Sequence, residues 1–143
     1  MLKILILFTL GLTGYHSFAL DNCRFPTGKY LCTELNFNNE ITRNKDAAFQ
    51  LAFFSKKLPQ KKVLLEQKPK IYLWMVMKNG HAHGSESLQI TLRKNSYQVT
   101  NVWFLMLGKW DIHIEGSYQG EKFKLAIPVC IKKMSHQSAI GKC

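Results

Sequence analysis

Two short stretches hold the side chains with the most coordination chemistry. The first is Met75-Val76-Met77-Lys78-Asn79-Gly80-His81-Ala82-His83-Gly84, and the second is Phe104-Leu105-Met106-Leu107-Gly108-Lys109-Trp110. Thioether sulfur is a soft ligand and imidazole a borderline one. Together they suit copper better than the hard cations that seek oxygen. His81 and His83 are two apart, so a locally extended backbone sends both imidazoles to one side. The candidate metal ligands are therefore His81, His83, Met77 and Met106, with copper as the expected ion. His136, in a polar C-terminal stretch, is a reserve ligand. Each of these residues also has an ordinary reading. A methionine at a strand end usually packs in the core, and a loop histidine is usually solvated. Met75 shares a face with Met77 and is expected below it in the core, while His113 is expected on the surface. Trp110 should lie in the core or at its rim, and Trp74 and Trp103 should be core or packing residues.

The elements that must position these groups read as strands. Apolar runs broken by turn residues occur at 48–54, 62–66, 70–77, 88–93, 97–106, 109–115 and 121–129. In the third, Ile71, Leu73, Met75 and Met77 alternate with Tyr72, Trp74 and Val76. In the fourth, Leu88, Ile90 and Leu92 share a face. Trp110, Ile112 and Ile114 face inward in the sixth, as do Phe123, Leu125 and Ile127 in the seventh. Seven strand-length runs at roughly ten-residue spacing, with no helical period, predict an all-β fold, an antiparallel immunoglobulin-like β-sandwich of about seven strands. Residues 20–47 read as a polar N-terminal segment with a hairpin that joins Cys23 and Cys32, 48–130 as the sandwich and 131–143 as a tail. Direction reverses at each connection. The loop bearing His81 and His83 and the turn at 106–108 should therefore reach the same end of the sandwich, with His136 nearby.

Residues 1–19 have one lysine, an apolar run of about a dozen residues and a Ser-Phe-Ala ending. This is the pattern of a cleaved secretory signal, and the run is short for a membrane span of about twenty residues. The mature chain would then hold 124 of the 143 residues, enough for one core. Its formal charge would fall from +11 to +10 with the loss of Lys3. A basic surface of this kind favours anionic partners such as acidic lipid. The lysines look scattered, and no nucleic-acid module is present, so nucleic acid is not expected. Cys23, Cys32, Cys130 and Cys143 suit an oxidising compartment, periplasmic or extracellular. Of three connectivities, Cys23–Cys32 across the Pro26-Thr27-Gly28 turn with Cys130–Cys143 is the first choice, and the alternative ties the termini together.

In the order of their pieces, these residues resemble the FixH/YtkA-like family of exported immunoglobulin-like domains, whose architecture is related to CopC-type copper proteins. A strand ending in Met77 leads into Gly80-His81-Ala82-His83-Gly84. Tyr97-Gln98-Val99 follows, and then the Phe-x-Met-x-Gly-x-Trp turn at 104–110. The match covers about residues 48–128. Lys78 stands where the family often has proline, Leu107 replaces the proline of Met-Pro-Gly, and Ala82 replaces a glycine between the histidines. The resemblance implies an accessory protein in copper handling or respiratory oxidase assembly, with a copper-accepting or envelope protein as partner. The competing expectation is a metal-free interaction or structural domain of the envelope. No nucleophile elbow, carboxylate pair or zincin helix is present, so an enzyme is not expected.

Overall fold

The computed structural model describes residues 23–85 and 88–143; the leader expected at 1–19 lies outside them. Among the described residues eleven strands form two antiparallel sheets: β1 (Phe25–Thr27), β2 (Leu31–Phe37), β3 (Asp46–Ser55), β4 (Lys62–Val63), β5 (Lys70–Val76), β6 (Ala82–Gly84), β7 (Gln89–Arg93), β8 (Ser96–Trp103), β9 (Gly108–Tyr118), β10 (Glu121–Ile131) and β11 (Ala139–Ile140). One sheet has the order β1-β2-β3-β8-β7, with β4 also on β3, and the other has the order β11-β10-β9-β5-β6. A 3-10 turn at Ser135–Gln137 lies between β10 and β11.

The two sheets close on one core. Leu35, Phe49, Leu51, Phe53 and Val99 come from the first sheet, and Leu73, Trp110, Ile112, Ile114 and Val129 from the second, all fully buried. In the second sheet the alternation read from the sequence holds. Ile71, Leu73 and Met75 are buried, while Tyr72, Trp74 and Val76 look outward. The antiparallel sandwich is as expected, and all seven runs contain a strand.

Four strands lie outside those runs, and β2 matters most. Leu31, Thr33 and Leu35 point into the core and Cys32, Glu34 and Asn36 point away, so the segment read as polar loop supplies a full member of the sheet. Its one inward polar residue, Thr33, is satisfied by a 2.6 Å hydroxyl contact with the equally buried Thr27. Two smaller differences have simple causes. Leu92 is 53% exposed because β7 is an edge strand that runs past the core. Trp74 is 39% exposed on the outer sheet face, where its ring lies 3.5 Å from the position of a Cβ on Gly84.

Both disulfides of the first-choice pairing are formed, Cys23–Cys32 and Cys130–Cys143, and no cysteine is free. They fit an oxidising, extracytoplasmic environment. Among the described residues no helix is long and apolar enough to cross a membrane.

Candidate metal-binding hairpin

The first motif folds as a tight hairpin. β5 and β6 pair with Met75 opposite His83 and Val76 opposite Ala82. One step further the Met77 N–H donates to the His81 carbonyl at 2.8 Å, so the same register sets Met77 against His81. The Gly80 N–H closes the turn onto the Met77 carbonyl at 3.0 Å, and Gly80 has φ +81°. That left-handed residue after a three-residue turn is the glycine bulge common in hairpins, and it explains why glycine stands here. Asn79 stabilises the turn by accepting the His81 N–H on its side-chain oxygen at 3.1 Å.

Cross-strand partners share a face, and faces alternate along a strand. Met75, Met77, His81 and His83 therefore lie along one side of this ribbon. It is the side that faces the core, since Met75 is buried there. Met77 is half-buried and both histidines are exposed, so the row climbs from the core to solvent. Neither imidazole has a hydrogen bond or ion pair with another described residue.

The second motif is a lid over the core at the same end. Phe104 and Trp110 are fully buried and meet edge-to-face at 5.6 Å. The Trp110 indole N–H donates to the Met106 carbonyl at 2.9 Å, which pins the turn to the start of β9. The Asn44 N–H donates to the Phe104 carbonyl from the other side. Gly108 has φ +116°, and a Cβ there would sit 3.1 Å from the Met75 methyl. The two motifs thus meet at Met75, directly beneath the Met77/His81 pair. Met106 belongs to this adjoining turn, with its side chain half-buried against the core.

The remaining candidates lie off the hairpin. His113 stacks on Tyr72 on the outer face of the second sheet, with ring centroids 4.9 Å apart and an interplanar angle of 8°, and its Nδ1 is buried without a partner. His136 is exposed in the 3-10 turn. That turn is drawn to the hairpin's end of the sandwich by the Ser135 hydroxyl bonded to Glu40 at 2.7 Å. Trp103 is half-buried and donates its indole N–H to Asn101.

All four cysteines are in disulfides and unavailable. Among the described residues no three His, Cys, Asp or Glu side chains gather as a cage. What the hairpin offers is two unengaged imidazoles with a thioether on the same face. That set fits a soft or borderline ion of low coordination number better than zinc or calcium, whose sites are built from more nitrogen, thiolate or oxygen donors.

Compared with protein-family models, curated proteins and solved structures, the chain has no match.

Proposed function

We propose that this chain is an exported accessory domain that binds copper on the β5–β6 hairpin for handling or delivery. The leader at 1–19 is removed, and the mature domain works in the periplasm or outside the cell. His81, His83 and Met77 hold the ion, with Met106 reaching in from the neighbouring turn. The single observation that carries this reading is the hairpin register. Met77 against His81 and Met75 against His83 align sulfur and imidazole on one face. The resemblance to FixH/YtkA-like domains points the same way through the order of its motifs. A rim position suits transfer, because an ion held by exposed imidazoles can be reached by a second protein without opening the core.

The test is a titration of the mature, disulfide-bonded protein with Cu(I) and Cu(II), alongside the His81→Ala/His83→Ala double variant and Met77→Leu. The double variant is expected to weaken binding by more than about 100-fold, beyond what outer-shell changes produce. Met77→Leu should weaken Cu(I) more than Cu(II), because thioether prefers the softer state. No binding by the parent protein, or binding indifferent to both histidines, leaves a metal-free interaction domain as the function.

A further inference from the structure

Several of the lysines that look scattered in the sequence, Lys29, Lys56, Lys57, Lys61, Lys62 and Lys94, come together at the end of the sandwich opposite the hairpin. The connections 28–30, 56–61, 94–95 and 119–120 all lie there. The registers Leu31 to Ser55, Arg93 to Ser96 and Tyr118 to Glu121 place their flanking strands level. The connection between β3 and β4, with its flanks, reads Lys56-Lys57-Leu58-Pro59-Gln60-Lys61-Lys62, four cations in seven residues. It is a well-formed loop. The Lys56 N–H donates to the Tyr30 carbonyl, Leu58 to Ser55, Lys61 to Leu58 and Ser55 to Lys61. The Lys56 ammonium is tied to the Gly28 carbonyl at 2.8 Å.

Aromatic rings hold the neighbouring ammonium groups at this end. Lys29 and Lys57 lie over Tyr30 at 5.2 and 6.0 Å from its centroid, and Lys62 lies over Phe54 at 5.9 Å. Lys62 also lines an open groove of about 840 Å³ together with Arg93 and Lys94. The carboxylates nearby are turned onto backbone and hydroxyl groups. Glu66 accepts from Gly120 and Ser117, and Glu121 from the Lys29 N–H. Among the described residues the ion pairs are Lys109–Asp111 and Lys124–Glu115, so no lysine of the 56–62 loop is neutralised. At the tip of the same loop Leu58 is 59% exposed.

We infer that this basic end docks on an anionic phospholipid bilayer, with Leu58 entering the interface between the lysines. A field of unpaired cations is drawn to the negative surface of such a bilayer. An apolar tip inside that field gains only where hydrocarbon is within reach, which a soluble polyanion does not provide. The inference does not depend on metal binding: the hairpin is on other elements, at the other end.

The experiment is co-sedimentation of the mature protein, with chelator present, on vesicles of phosphatidylglycerol and phosphatidylcholine in equal amounts, and on phosphatidylcholine alone. Binding is expected on the anionic vesicles and should fall as salt is raised. Lys57→Gln/Lys61→Gln removes two exposed charges and should weaken it about 25-fold, at about fivefold per lysine. Lys132→Gln/Lys133→Gln makes the same change in net charge at the hairpin end and should weaken it less than about threefold, since that end lies beyond the screening length. Leu58→Ser should weaken vesicle binding several-fold at every salt concentration. No binding to the anionic vesicles, or equal losses for the two lysine pairs, overturns the inference. Binding to soluble polyphosphate as tight as to vesicles, and indifferent to Leu58→Ser, overturns it in favour of a polyanion.

Discussion

Glu66 and Glu115 are surface carboxylates that the fold uses. Glu66 accepts the Gly120 N–H at 2.8 Å and the Ser117 hydroxyl at 2.9 Å, and these bonds hold its pKa below the ordinary 4.5. Glu115 is held below 4.5 by Lys124, 2.9 Å away, and by the Tyr72 hydroxyl at 2.8 Å. A carboxylate whose folded pKa lies below its unfolded one stabilises the protein fully above the unfolded value. That stabilisation is lost as pH falls through the lower folded value. Urea midpoints should therefore fall as pH drops below about 4.5. In Glu66→Gln/Glu115→Gln the acid drop should be visibly shallower, whereas parallel profiles for parent and variant would place its source in other groups. At this scale the sequence was partly readable. Met75, Trp110 and the inward-facing isoleucines announced themselves by alternation. The partner of each carboxylate depends on register across strands, which no local pattern carries.

The β5–β6 hairpin shows what was legible in an element and what was not. His81 and His83, two apart in a loop, pointed to a shared side. The pairing that sets Met77 against His81 follows from one glycine bulge and appears only once the strands are laid together. The extent of β2, beyond the expected hairpin with β1, was missed for a different reason. Its outward residues Glu34 and Asn36, with the asparagines that follow, gave the segment a polar composition, although Leu31, Thr33 and Leu35 keep the period of two. Composition masked periodicity. The tail is held by a staple. The Cys130–Cys143 bond spans a separation of 13 residues, and β11 pairs back onto β10 within it. Closing a loop of this size removes unfolded-state entropy worth about 3 kcal/mol. Cys143→Ser with Cys130→Ser is accordingly expected to lower the unfolding free energy by about that amount in denaturant titrations. The β-sandwich signal should persist in circular dichroism, because β11 has only two residues at a sheet edge. Loss of the whole fold in that variant would mean the tail supports the core itself.

Seen whole, the molecule has two different ends. β9 runs its length, 11 residues from the lid over Met75 to the hairpin at the basic end, which is about 35 Å at the usual rise per residue. Screening in physiological salt has a length of about 8 Å, so charge at one end is not felt at the other. The order of strands in the sequence hides this separation, because each connection alternates ends. Lys29 and Lys94, far from the 56–62 loop in the sequence, join it at one end only after folding. If the copper reading and the lipid reading both hold, docking by the lysine end must leave the hairpin facing away from the bilayer. Chemical footprinting tests this directly. With anionic vesicles added, acylation of Lys57 and Lys61 should slow sharply, while diethyl pyrocarbonate modification of His81 and His83 should proceed at its rate in free solution. Copper loading should correspondingly shift vesicle affinity by less than about twofold, since the two ends lie several screening lengths apart. Protection of the histidines by vesicles would instead bring the hairpin end to the surface. There Leu105, Leu107 and Met134 are also exposed, and that end would become the docking face.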